Sequence, residues 1–179
     1  IGAGIAGYHQ SPCRQEKGKS YYTYGQIKFL KGRSAMYNRI LVPTDGSELS
    51  DKALEAAADF AKALGSSIVI ITVIEPYSYT NLSEYRPESI DQYDSRVKEM
   101  AQERLEIARE LVEKKDINCE VVAFKSFSPA EAIIDAANEY NCDLIFMASH
   151  GRQGFAAVLL GSETQKVLTH SKIPVMVYR

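Results

Sequence analysis

The chain has 179 residues, enough for one domain with a sizeable core, and its 45% hydrophobic and 25% charged content is that of an ordinary globular protein. No apolar run approaches the ~20 residues of a membrane-spanning helix. No charged start, apolar stretch and cleavage site opens the chain, so neither membrane insertion nor secretion is expected. The net charge of −2 is unevenly divided: residues 1–35 carry six Lys/Arg against one Glu, and the remainder 15 against 22. Such an acidic body argues against nucleic acid as the main partner. The three cysteines, Cys13, Cys119 and Cys142, lack metal-ligand spacing. Cys119 and Cys142 sit at or beside apolar strands, where cysteine acts as a small hydrophobe, and a reducing cytoplasm fits them.

Residues 1–35 do not read like the rest. They hold scattered basic residues, a tyrosine cluster (Tyr21, Tyr22, Tyr24) and glycines from Gly2 to Gly32, with no sustained helical or strand period. Gly2-Ala3-Gly4-Ile5-Ala6-Gly7 spells a dinucleotide fingerprint, but one residue precedes it and His9-Gln10-Ser11-Pro12 follows it. The motif has meaning only between a strand and a helix. This segment is expected to be disordered or non-native, with Met36 as a candidate initiator; the alternative is a genuine basic tail.

From Arg39 the pattern becomes regular. Arg39 to Pro43 is a short apolar strand, and Thr44-Asp45-Gly46-Ser47 is a turn rich in helix-capping residues. Leu54, Ala57, Ala58, Ala61 and Leu64 mark a helix from Glu48 that Gly65 closes. Ser67 to Ile74 is a second buried strand, and Tyr77 to Asp94 reads as a polar loop. Val97, Ala101, Leu105, Ala108 and Val112 form the stripe of the next helix. Asn118 to Phe124 is a third strand. Ser128-Pro129-Ala130-Glu131 has both proline at the first helical position and a capping-box spacing. A fourth strand, Asp143 to Met147, leads through a glycine-bearing segment to a short helix, Ser162 to His170. Ile173 to Tyr178 is a fifth strand. Alternating strands and helices predict right-handed crossovers and a doubly wound, open, parallel five-stranded α/β sheet with helices on both faces. Ligands of such sheets lie beyond the carboxyl ends of strands, where strand order reverses. The two unusual turns, Thr44-Asp45 and Ala148 to Gly151, follow strands one and four.

The segment Ala148-Ser149-His150-Gly151, followed nine residues later by Gly161-Ser162, has the composition of a phosphate cradle. Glycine lets backbone N–H groups approach closely and tolerates positive φ, and a helix starting at Ser162 would aim its dipole at the same anion. The opposing reading is two loop glycines and a helix cap, since Ser162-x-x-Gln165 is itself a capping box. Glu163 would compete with an anion for the helix start.

This pattern resembles the nucleotide-binding signature of the universal stress protein family, Gly-x2-Gly-x9-Gly-Ser/Thr. Gly151, Gly161 and Ser162 match, and Ala148 replaces the first glycine. The likeness spans about Met36 to Arg179 and includes Ile40-Leu41-Val42-Pro43-Thr44-Asp45-Gly46-Ser47. It divides the chain into an extension, 1–35, and a family domain, 36–179, and implies a Rossmann-like fold akin to the adenine nucleotide alpha hydrolases. It also implies ATP as ligand, with Mg²⁺, held by Pro43, Thr44, Asp45, Val73, Met147, Ala148, His150, Gly151, Arg152, Gly161, Ser162, Glu163 and Thr164. In that reading Pro43, Thr44 and Asp45 lie beside base and ribose, the Val73 backbone faces the adenine, and Arg152 neutralises phosphate charge. Ala148 is compatible with this only if its backbone is ordinary and its methyl has room. The alternative is a nucleotide-free interaction module. The likeness further implies a homodimer through strand 173–178, whose apolar edge invites pairing.

Enzyme chemistry finds little support. No G-x-S-x-G elbow surrounds a serine, so Ser149-His150 does not read as a hydrolase site. There is no HExxH, no Cys-x-x-Cys and no Walker loop. No evident base serves a γ-phosphate, so slow hydrolysis or none is expected. Phe127 stands two residues before Pro129, where relatives often have glycine; the sequence leaves open whether it packs on the sheet or narrows a cleft.

Overall fold

The computed structural model describes residues 36–78, 89–151 and 160–179, and the backbone of 21–24. Five parallel strands form as the alternation predicts: β2 (Arg39–Pro43), β3 (Ser67–Ile74), β4 (Cys119–Lys125), β5 (Leu144–Ala148) and β6 (Val175–Tyr178). Helices α1 (Glu48–Leu64), α2 (Ile90–Glu113), α3 (Pro129–Glu139) and α4 (Ser162–His170) alternate with them. A sixth strand, β1 (Tyr21–Tyr24), pairs antiparallel with β4, and the sheet order is β1-β4-β3-β2-β5-β6. The chain winds outward from β2 through β3 to β4, returns to β5 beside β2, and ends at β6. Strand order therefore reverses between β2 and β5.

The period of two decides what each strand buries. Ile40, Val42, Ile68, Ile70, Val121, Ala123, Leu144 and Phe146 pack in one layer with Leu54, Ala57, Ala61, Leu105 and Val112 of α1 and α2. Leu41, Val69, Ile71, Val122, Phe124, Ile145 and Met147 pack in the other with Ala132, Ile133, Ala136 and Val167 of α3 and α4. Both faces are covered, so these strands read as continuous apolar runs. Burying one such aliphatic side chain contributes roughly 1.5–3 kcal/mol, and it is this two-layer core that holds the loop-bearing strand ends in place.

The helix ends show where local sequence decides and where packing overrides it. Ser47 accepts from Ser50 N–H to cap α1, and Gly65 ends it at φ 74° in the left-handed region that favours glycine. α2 starts at Ile90 rather than near Asp94, because Ser89 and Gln92 form a reciprocal capping box. The box expected at Ser128 does not form: the Ser128 side chain makes no cap bond. Its work is done from another helix, since Ala130 N–H donates to Glu163 Oε2 of α4 at 2.9 Å. At the opposite end of the sheet, Asp143 accepts from the Asn38 and Arg39 amides at 2.8 to 3.0 Å and ties the start of β5 to that of β2. Partial burial raises the Asp143 pKa, but these amides and the Asn38 side chain outweigh it and leave the carboxyl below its ordinary value.

β1 comes from the stretch in which the sequence shows no strand period. An edge strand needs only backbone partners, and Tyr and Thr suit it by propensity. The remainder of 1–35 lies outside the described residues. Ile68 N–H donates to Asn118 O and Ser126 N–H to Ile74 O, so even-numbered peptide edges of this segment face β3. Alternation turns Val121 and Ala123 toward β1, opposite Tyr24 and Tyr22. Replacing Tyr22 and Tyr24 by Pro in the full chain removes those donors. Amide exchange by NMR should then speed up at Val121 and Ala123 and stay unchanged at Val122 and Phe124; equal exchange at all four would mean the strand is not docked in solution.

Candidate functional site

The carboxyl ends of β2 and β5 leave a cleft at the reversal of strand order, and most of the residues singled out by sequence converge there. On one side is the turn after β2. Thr44 is buried; its N–H donates to Ile71 O at 2.8 Å and its hydroxyl pairs with Ser50 Oγ at 3.1 Å. Gly46 N–H donates to Thr44 Oγ1 and Ser47 N–H to Asp45 Oδ1, so both side chains fold the turn onto itself. Gly46 has φ 71°, which explains glycine there. Thr44 thus has a structural task, and Asp45 Oδ1 shares in one. Ser50, which the sequence did not single out, supports the turn through Thr44 Oγ1 and Ser47 O.

Val73 lies one strand over, partly buried against the α3 side of the core. Ile71 O receives Thr44 N–H, so the Ile71 peptide edge faces β2. Alternation turns the Val73 N–H and C=O the same way, past Pro43, the last residue of β2 in register with β3. A donor and an acceptor two residues above the end of a neighbouring strand make an edge suited to a flat heterocycle.

On the other side is the end of β5. Ala148 is the last residue of that strand, beside Tyr178 of β6. Among the described residues only Asp116 and Asn141 combine a side chain with positive φ, so Ala148 has ordinary backbone. Its methyl is part of the buried layer under α1 and α2. Both conditions set by the missing glycine are met. Met147 is buried in the opposite layer, so its side chain supports the strand end. Ser149 is buried; its N–H donates to Tyr178 O at 2.7 Å and its carbonyl accepts Gly161 N–H at 2.8 Å. That second bond closes the base of the intervening segment. His150 Nδ1 lies 3.1 Å from Ser149 Oγ. Arg152, and the segment through residue 159, lie outside the described residues.

The glycines are needed for space rather than for unusual dihedrals. Gly161 has φ −61°, and Gly151 is not in the left-handed region either. A Cβ on Gly151 would come 2.5 Å from Asp45 Oδ2, so the two loops touch there. A Cβ on Gly161 would meet His150 Cα at 3.2 Å and Ser149 O at 3.4 Å.

α4 begins at this contact. Gly161 is the residue before its first turn, and no side chain caps it. The box expected from Ser162 and Gln165 is not made, because Ser162 is already the first helical residue and Gln165 Nε2 donates to Leu160 O. Glu163 does not turn back on the helix start. Its carboxylate holds Ala130 N–H of α3 and Lys166 Nζ at 2.7 Å. Thr164 is buried and its hydroxyl donates to Ala148 O at 3.1 Å, which fixes α4 to β5 instead of facing outward. The result is a helix start without a side-chain cap, beside Gly151 and the Asp45 turn. No group of three or more metal-ligating side chains occurs among the described residues.

A doubly wound sheet whose strand order reverses between β2 and β5 defines a Rossmann-like α/β protein. The chain belongs to the universal stress protein family, whose profile matches residues 36–179. Universal stress protein YxiE of Bacillus subtilis is 32% identical over 149 residues, covering 80% of this chain and 100% of that one. The solved structure of MJ0577, from Methanocaldococcus jannaschii, overlays with TM-score 0.68 at 27% identity, over 79% of this chain and 95% of that one. A universal stress protein crystallised in complex with cAMP overlays with TM-score 0.63 at 24% identity, over 82% and 99%.

The two glycines should differ when replaced. Gly161→Ala brings a methyl to 3.2 Å from His150 Cα, in backbone tied by the Gly161–Ser149 hydrogen bond, and should lower stability in urea unfolding by roughly 1–3 kcal/mol. Gly151→Ala meets the end of a side chain and should cost less than half of that; equal losses would contradict the packing described.

Proposed function

We propose that this protein binds ATP across the carboxyl ends of β2 and β5 and acts as a regulatory protein whose state is set by the bound nucleotide. The polyphosphate lies against the amides of Gly151 and the first turn of α4, and the base lies against the Val73 backbone. The observation that carries this reading is the contact of Gly151 with Asp45 beside the uncapped start of α4. It brings a carboxylate able to accept from ribose hydroxyls next to amides able to donate to phosphate. The family neighbour crystallised with cAMP lends support from the fold. Ala148 was the main reason to consider a nucleotide-free module. An ordinary backbone at Ala148, its buried methyl, and the pairing of the Glu163 carboxylate with Ala130 N–H and Lys166 favour the nucleotide reading over a nucleotide-free module.

Mg²⁺ enters this reading with the nucleotide. It commonly keeps several waters and binds through phosphates and one or two protein oxygens, so a three-residue cage is not required. The cleft supplies Asp45 and Ser162 as candidate oxygens. The protein's own part is to bind and orient the phosphate chain and to cover the base. We place the protein in the cytoplasm on its thiols: Cys119 and Cys142 are free and buried, and burial pushes them up to about 11 and about 12, which keeps them inert. No helix among the described residues is long and apolar enough to cross a membrane.

Isothermal titration of the full chain with ATP and Mg²⁺ should show saturable heat, and the melting temperature should rise with nucleotide. Absence of both at millimolar ATP would sink the proposal.

The β6 strand lies at the sheet edge away from β1, with Met176 36% exposed, and we propose that it joins two copies edge to edge. Ile145 N–H donates to Pro174 O and Ser149 N–H to Tyr178 O, so the Val175 and Val177 peptide edges face outward. Val177→Pro should convert the dimer to monomer in sedimentation, while Val177→Ile should leave it paired.

A further inference from the structure

We infer that Phe127 is the residue that stacks on the base, and so makes this cleft select nucleotides over other polyphosphates. The inference rests on the nucleotide reading above and concerns a residue that the family signature does not include.

Phe127 is 65% exposed, although a buried phenylalanine stabilises a fold and two apolar layers lie close by. The exposure does not come from a loose loop. Ser126 N–H donates to Ile74 O at 2.9 Å, which fixes the loop to the tip of β3. Ser126 Oγ and Ser128 bond each other across Phe127, at 3.1 and 3.2 Å. Pro129 sets the first helical position, and Ala130 N–H is held by Glu163 on the first turn of α4. Just before the loop, Lys125 pairs with Asp94 at 2.8 Å. A short, doubly anchored segment thus presents an aromatic ring to solvent.

The anchors also place it. Ile74, which holds one end, follows Val73, whose peptide edge faces the cleft. Glu163, which holds the other, belongs to the helix start that faces the phosphates. Held by the tip of β3 at one end and by α4 at the other, Phe127 is placed by inference over the base half of the candidate site. This disposes of one of the two roles open to it, packing over the sheet. Backbone N–H and C=O groups recognise the edge of a base, and an aromatic ring recognises its face. Stacking is tolerant of base identity and absent for a bare phosphate chain. The structure thus assigns to Phe127 a preference for ligands carrying a flat heterocycle.

The test is titration calorimetry on the full chain, with ATP and with inorganic triphosphate, on the native protein, Phe127→Ala and Phe127→Trp. Phe127→Ala should weaken ATP binding by roughly tenfold or more and leave triphosphate binding unchanged. Phe127→Trp should restore ATP binding. Unchanged ATP affinity in Phe127→Ala overturns the assignment and leaves the nucleotide reading intact. Equal losses for ATP and triphosphate also overturn it, since they would report a disturbed loop. A native chain that binds neither ligand removes both readings together.

Discussion

Everything at the cleft depends on two strands lying side by side with their continuations leaving by opposite faces. Leu41 of β2 is in register with Ile145 of β5, and beyond that pair the strands no longer match. β2 runs into a helix under one face, and β5 into a helix under the other. Past the Leu41–Ile145 pair the two strands splay, Val42 and Pro43 staying with β3 and Phe146 to Ala148 with β6, so no sheet hydrogen bonds close the gap between them. What remains is a notch floored by strand ends and lined by peptide groups. Its position is fixed by right-handed connections, which the twist of the strands imposes before any side chain is chosen.

Around this notch, side chains that sequence patterns assign to a ligand mostly serve to fasten one loop to another. Thr44 is bonded to Ser50, Thr164 to Ala148 and Ser149 to His150. Buried hydroxyls must find partners, and here they find backbone or one another. The groups left to meet a ligand are mainly peptide N–H and C=O. With the side chains so employed, space-making glycines and small residues mark these loops more clearly than charged ones.

The fold was legible almost entirely. Arg39–Pro43, Glu48–Leu64, Ser67–Ile74 and Ser162–His170 have the bounds read from apolar period and caps. Signals of that kind are local and reinforced by burial on two faces. The misses are those that locality cannot supply. Ser128 and Ser162 carry capping-box spacing, yet neither box forms, because Glu163 reaches across to α3 and Gly161 takes the cap position at α4. Two spacings that look alike in sequence gave way to one long-range hydrogen bond and one shift of a single residue. β1 was hidden for a related reason: an edge strand held by backbone alone leaves little periodic trace. At the site, the glycines were found from their spacing, but the reason for them was not. Their need for close approach to Asp45 and His150 is a property of the assembled loops.

The antiparallel strand Tyr21–Tyr24 carries a consequence for how copies of this chain can meet. A parallel sheet of this kind has two margins at which another chain can add by main-chain hydrogen bonding. Here one of them is already occupied from within. The occupying strand brings an open edge of its own, so an incoming chain meets a short antiparallel strand at that margin and a parallel strand, β6, at the other: the two ends of the sheet are unlike.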